Sequence, residues 1–530
     1  MYSRRAVMPR SSRWTVSVVA LVLSSTLARP GGSQPSDGDA RAAERTGAGK
    51  PTQRSPGGAS APPSTVAAPG LHRVTPGRAR EQLEKLTADV HRWGGRVGVL
   101  ALDVDSGATL AAFDERGLYN PASNAKLFTA AAALRLLGPS YRYLTGLYGE
   151  ASAGAVPELV LRGSGDPSLR TRDLWEMARD LRASGVRKVA AIAVDQGYFD
   201  ARYVPPAFEQ QPEEWAAFRA PVAAASLNAN AVLFTVRPSK AGEAASVAID
   251  PPGLTVLRGK VATARRGTPE KIGIRLEPNG QRLVVHLSGS IPEGGRAVIL
   301  ARRVDDPRLV AAYALREMLQ EVGVEISGEV RLGGEHQKRL LVAHRSAPLG
   351  ELLPALGKDS DNFYAETIFK TLAAERRGRP GTAEAAAELV SETIRELGAT
   401  QEGVVLRNGS GLFDAARASP EAIVRLLRAA LLDPALGADF TAQLAIGGVD
   451  GTLRGRFRGW SKERAIRAKT GTLASVAALS GYILPPPGRS PIAFAVLASD
   501  VPGKIEPVRR AIDDFVGALA DELWKGARSP

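Results

Sequence analysis

The sequence predicts an α+β protein: helices packed on an antiparallel sheet, with a largely β middle. Three observations lead there. Amphipathic helical patterns stand at both ends of the folded part. Leu83, Leu86, Val90 and Trp93 share one face near the start; Ile505, Val508, Ile512, Phe515, Leu519 and Leu523 share one near the end. Two apolar runs, 476–484 and 492–499, are joined by Pro485-Pro486-Pro487-Gly488 and read as neighbouring strands. Residues 146–344 are mostly short alternating segments punctuated by Gly and Pro, with helical patterns near 171–184 and 305–322. At roughly 150 residues per domain, 530 residues suggest about three domains.

The elements follow in order. Arg4, Arg5, Arg10 and Arg13 carry positive charge with no acid among them, and an apolar stretch runs from Trp14 to Leu27. Thr26 and Ala28 are small residues two apart, so 1–28 reads as a secretory signal peptide cut after Ala28. The stretch is too short and too rich in Ser and Thr for a comfortable membrane span, so no stable span is expected after the leader is removed. The expected location is the periplasm or cell-wall space. Residues 29–74 read as a disordered linker: between Gly31 and Gly70 there is no Leu, Ile, Phe, Tyr or Trp to offset ordering entropy by burial. A helix is expected over 80–93, then strands over 96–104 and 108–113 around Asp105-Ser106-Gly107. Asn120-Pro121 breaks the chain. An alanine-rich helix then runs to Leu137, where Gly138-Pro139 stops it. From Leu349 the pattern turns helical again.

Composition excludes several functions. There is no cysteine, hence no disulfide, thiolate zinc site or cysteine nucleophile. The five histidines (His72, His91, His286, His336, His344) include no H-E-x-x-H and leave a Ser-His-Asp triad little support. The formal charge is +14, yet no basic run is interleaved with aromatics, so no nucleic-acid partner is expected.

Three short motifs carry the chemistry. Ser123-Asn124-Ala125-Lys126 opens the alanine-rich helix; a spacing of three puts both side chains on one face, one turn apart. A neutral lysine there can take the serine proton, and a second nearby cation would favour that neutral state. Alone the pair is weak, since Ser and Lys at this spacing arise roughly once by chance in such a chain. Ser360-Asp361-Asn362 precedes a helix expected over 363–374; it offers a hydroxyl and an amide, or simply a helix cap. Lys469-Thr470-Gly471-Thr472 offers a cation, two hydroxyls and a glycine permitting close approach, just before the strand expected at Val476. The order S-x-x-K, S-x-N, K-T-G is the active-site set of penicillin-recognising serine enzymes.

On these residues the chain resembles the low-molecular-mass class C penicillin-binding proteins, which are D-alanyl-D-alanine carboxypeptidases/endopeptidases. Further supports are Gly163-Ser164-Gly165-Asp166-Pro167, Ser226-Leu227-Asn228-Ala229-Asn230, Asn408-Gly409-Ser410-Gly411-Leu412 and Gly448-Val449-Asp450-Gly451-Thr452-Leu453, with a long insertion between Lys126 and Ser360. The resemblance implies a split β-lactamase/transpeptidase-like domain, 75–145 with 345–526. It also implies two inserted mainly-β domains, 146–166 with 254–344 and 167–253. It implies Ser123 as nucleophile, Lys126 as base, Ser360 and Lys469 as proton carriers to the leaving amine, and Asn362 on a peptide carbonyl. Lys469, Thr470 and Thr472 would meet the substrate carboxylate, with Gly471 beside it in the substrate-binding strand. The implied partners are peptidoglycan peptides and β-lactam antibiotics, with no cofactor and no metal. Where the family commonly reads D-G-S-G-L-S-R, this chain has Asp414 at the arginine position. Asp414 and Asp195 are therefore expected to place negative charge near the third residue of the peptide. A β-lactamase or esterase of the same superfamily, and a catalytically silent cell-wall-binding protein, remain open at this point.

Overall fold

A computed structural model describes residues 77–334, 339–398, 403–458 and 465–525. The expected leader and most of the linker lie outside them. At the centre is a six-stranded antiparallel sheet. Its order is Ala445–Ile446, Ile466–Leu473, Val476–Ile483, Ile492–Ser499, Arg96–Asp103, Thr109–Phe113. Both faces are covered, and the strands show it. Along Ile492–Ser499, the larger residues Ile492, Phe494 and Val496 enter one core, while Ala493, Ala495 and Leu497 enter the other. A strand buried on both faces reads as a continuous apolar run rather than an alternation.

On one face lie the two terminal helices, Arg78–Arg92 and Ile505–Trp524. Leu83, Leu86 and Val90 meet Val508, Ile512, Phe515 and Leu519 there. On the other face lie Lys126–Leu136, Leu349–Gly357, Asn362–Arg376, Ala383–Glu396 and Pro420–Leu432. The helix Lys126–Leu136 is buried from Lys126 through Leu134. A helix apolar all round belongs in a core, and its alanine run lets neighbours approach on every side. This helix carries the first lysine of the motifs into the interior.

The insertion leaves and re-enters on paired strands. Leu144–Tyr148 pairs antiparallel with Leu340–Arg345, and Ser346 and Tyr143 exchange hydrogen bonds at the neck. Inside it, strands pair across the expected breaks. Ala155–Gly163 pairs in parallel with Lys188–Asp195 across the expected break at 166/167, with the helix Thr171–Ala183 as crossover. Ala231–Arg237 likewise pairs with Val298–Arg303 across the break at 253/254. All of these share one apolar core with the helix Val310–Glu321 and the sheet built on Lys271–Asn279 and Arg282–Pro292. Long-range pairing of this kind leaves no local mark in the sequence. The third motif is also differently placed. Lys469–Thr472 lies within its own strand, paired along its length with Val476–Ile483, rather than only preceding that strand.

Candidate active site

The nucleophile motif is held in a tight turn. Ala122–Ala125 forms a 3-10 turn, and the α-helix proper starts at Lys126. Ala122 sits at φ +46, a left-handed conformation that costs a non-glycine residue about 1–2 kcal/mol. Asn120 holds the turn in place: its Oδ1 accepts from the Ala122 N–H at 2.9 Å, and its Nδ2 donates to the Phe413 carbonyl at 2.9 Å. Two glycines make room. A Cβ on Gly411 would collide with the Ala122 carbonyl, and one on Gly471 would crowd the Pro121 carbonyl.

Lys126 is 0% exposed. Its Nζ donates to Ser123 Oγ at 3.0 Å, Asn362 Oδ1 at 2.7 Å and the Ser410 carbonyl at 2.9 Å. Burial brings its pKa down to about 7, against the opposing pull of the Glu366 and Asp361 carboxylates. The amine is therefore available as a base near neutral pH. Across from it, Lys469, also 0% exposed, donates to Ser360 Oγ at 2.8 Å and to the Thr470 carbonyl. Burial, and then the charge of Lys126, holds Lys469 well below its ordinary pKa.

Ser360 stands outside the second helix at φ +60, Asp361 caps that helix by accepting from the Tyr364 N–H at 3.1 Å, and Asn362 is its first residue. So the Ser-Asp-Asn run is both a cap and a site. Asn362 Nδ2 donates to the Phe218 carbonyl at 3.1 Å, from the inserted region. An amide NH₂ has two N–H groups, which leaves one for a substrate carbonyl. Thr470 Oγ1 lies 2.9 Å from Thr452 Oγ1, and Thr472 Oγ1 accepts from Arg509 at 2.7 Å.

The structure thus brings Ser123, Lys126, Ser360, Asn362, Lys469 and the Thr470-Gly471-Thr472 strand into one cluster. The two expected specificity carboxylates are placed differently. Asp195 accepts from Arg162 at 2.7 Å and from the Gly197 N–H at 2.8 Å. It lines a cavity of about 640 Å³ with Tyr141, Tyr148 and Tyr198, which none of the three motifs lines. Asp414 is exposed and pairs with Arg417 at 2.5 Å. Each negative charge therefore has a cation beside it.

Residues missed from the sequence are Thr452, Arg509, Phe218 and Glu366. Only Glu366 had a local signal, lying four residues after Asn362 and hence on the same helix face. Among the described residues no group of three or more His, Cys, Asp or Glu side chains is placed to hold a metal ion, and no helix is long and apolar enough to cross a membrane.

A serine one turn before a desolvated lysine, beside a second serine–lysine pair, defines a serine acyl-transfer enzyme. The chain belongs to the D-Ala-D-Ala carboxypeptidase 3 (S13) family, which it matches over residues 79–520. It is 32% identical to a D-alanyl-D-alanine carboxypeptidase of Actinomadura over 85% of this chain and 86% of that one. It is 25% identical to the D-alanyl-D-alanine carboxypeptidase DacB of Haemophilus influenzae over 82% of this chain and 92% of that one. The crystal structure of penicillin binding protein 4 from Haemophilus influenzae has the same fold, with a TM-score of 0.69 at 23% identity, covering 83% of this chain and 99% of that chain.

Proposed function

We propose that this protein removes the terminal D-alanine from cell-wall peptides ending in D-Ala-D-Ala, and that β-lactams acylate it at Ser123. The observation that carries the reading is the fully buried Lys126 amine, 3.0 Å from Ser123 Oγ, with a pKa brought down to about 7. Neutral Lys126 takes the Ser123 proton as Oγ attacks the carbonyl of the penultimate D-alanine. Backbone N–H groups of Ser123 and Thr472 hold the resulting oxyanion. Collapse breaks the peptide bond; Ser360 gives the departing amine its proton, and the proton held by Lys126 passes through Lys469 to replace it, leaving Lys126 neutral again. Asn362 holds a peptide carbonyl, and Thr470 and Thr472 meet the terminal carboxylate beside Gly471. Water then cleaves the acyl-serine: neutral Lys126 takes the water proton and returns it to Ser123 Oγ as the ester bond breaks. A β-lactam amide enters by the same attack; the Haemophilus penicillin binding protein 4 has been solved in complex with a β-lactam.

Side-chain choice at the third peptide residue falls in this reading to the exposed Asp414–Arg417 pair, which offers both charge signs to a diaminopimelate end bearing an amine and a carboxylate. Asp195 is left out of it. Export follows from the basic, apolar leader, with the mature enzyme in the periplasm or cell-wall space. N-terminal sequencing from the native host should give a start near Arg29; a start at Met1 in a cytosolic fraction contradicts export.

Mass spectrometry of purified muropeptides after incubation with the protein tests the activity. Loss of one terminal D-alanine is the expected result, and halved cross-linked species would add endopeptidase action. Unchanged muropeptides together with stable penicillin labelling would overturn the reading in favour of a silent binding protein.

A further inference from the structure

Glu366 is a buried carboxylate that the mechanism above does not use. It is 2% exposed and sits one turn after Asn362 on the helix Asn362–Arg376. Its Oε2 accepts the Gly409 N–H at 3.1 Å and its Oε1 accepts the Ser410 N–H at 2.8 Å. The two carbonyls of the same residues point the other way. That of Gly409 accepts from Thr129 Oγ1 at 2.8 Å, and that of Ser410 accepts from Lys126 Nζ at 2.9 Å. Residues 409–410 are thus strapped between two helices, N–H groups to Glu366 and carbonyls to the helix of the lysine.

That arrangement bears on how Lys126 works. A neutral amine has two N–H bonds and one lone pair. If Asn362 Oδ1 and the Ser410 carbonyl each take an N–H, the lone pair is left facing Ser123 Oγ. If the Ser410 carbonyl turns away, the amine is free to rotate and the lone pair has no fixed direction. We propose that Glu366 is a positioning residue for Lys126: its carboxylate fixes the Gly409–Ser410 backbone, so that the Ser410 carbonyl holds one N–H of the amine and leaves its lone pair on the nucleophile. This rests on the reading of Lys126 as base.

A carboxylate suits the task because two N–H groups converge on it, and an acid with two acceptor oxygens meets both. Burial pushes the Glu366 pKa up, while the bonds from Ser410 and Gly409 and the charge of Lys126 pull it down. Lys370, one turn further on, is bound to Asp200 and also feels Glu366. Around Lys126 itself, the charged groups are Glu366 and Asp361 on the helix Asn362–Arg376 and its cap, and Lys469 on the strand Ile466–Leu473.

The test is the rate of penicillin acylation against pH in full-length wild type, Glu366→Gln and Glu366→Asp, with Lys126→Ala as control and Tm recorded for each. In Glu366→Gln an NH₂ faces one of the two N–H groups and the negative charge is gone. The high-pH plateau should fall by up to about 10²-fold, the scale of a misplaced reacting group. Loss of the carboxylate also favours neutral Lys126, so the pH of half-maximal rate should move down. Glu366→Asp keeps the charge but falls short of the two N–H groups; its plateau should drop with the half-maximal pH unmoved. A folded Glu366→Gln with wild-type plateau and midpoint overturns the proposal. So does a lowered plateau with unmoved midpoint and fallen Tm, which marks packing alone. If Glu366→Gln does not fold, a folded Glu366→Asp acylating at the wild-type plateau overturns it. Lys126→Ala at the wild-type rate sinks the base assignment beneath it; an inert Lys126→Ala beside normal Glu366 variants sinks only the role of Glu366.

Discussion

A lysine acts as a base at neutral pH only where its charged form is costly. Lys126 meets that condition because the alanine-rich helix carrying it is buried all round, so the amine leaves water with Ser123, Asn362 and Ser410 as its partners. The reactive form is the neutral one, so acylation by penicillin should rise with pH through a midpoint near 7 and fall as Lys126 protonates below it. A stopped-flow acylation profile checks this; a rate flat from pH 5 to 9 contradicts it. Ser123→Ala should form no covalent penicillin adduct by intact-protein mass spectrometry. Lys126→Ala should lose about 10²–10⁴-fold in acylation, the usual worth of general-base help. Lys469→Ala should also weaken capture of peptides with a free terminal carboxylate, read as a raised KM beside a lowered kcat. The three motifs were legible at this scale because each is a short run with fixed local spacing. Thr452 and Arg509 were not, because they reach the cleft from elements distant in the chain.

At the scale of the element, the site is a junction of helix starts, one strand and one loop held at contact distance by glycine. Gly411 has φ +71, and its missing Cβ is what lets the loop lie against the Ala122 carbonyl. Gly411→Ala should therefore cost about 1–2 kcal/mol in backbone conformation. It should also displace the nucleophile turn, so that acylation falls more than stability does. Urea denaturation and labelling rate on one preparation separate the two, and a normal labelling rate in a destabilised variant would show the contact to be structural only. The terminal helices could be read from periodicity, and the strands expected over 96–104 and 492–499 from apolar runs bounded by turn residues. The strand of Lys469 could not, because Lys-Thr-Gly-Thr looks like a loop until Val476–Ile483 supplies its hydrogen-bonded partner.

For the whole molecule, the two ends of the folded chain close over one face of the central sheet, and the motifs lie on the other side and at its edge. Phe515 is fully buried between the terminal helices and the sheet. Phe515→Ala should cost about 3–5 kcal/mol in unfolding free energy while the folded fraction keeps its acylation midpoint. Equilibrium denaturation with a parallel pH profile tests it; a shifted midpoint would mean that the terminal helices reach the lysine. The sequence by itself determined the class of fold, the helices at both ends and the three motifs, because these depend on residues close together along the chain. Only the tertiary structure decided how the insertion is grouped, since its strands pair across some twenty to sixty intervening residues. Only it decided the charges around Asp195 and Asp414, because an arginine's partner is a matter of reach in space rather than of spacing. The pKa of Lys126 was set in the same way: its identity was written in the sequence, but the desolvation that lowers its pKa exists only once the neighbouring helices and the sheet have closed around it.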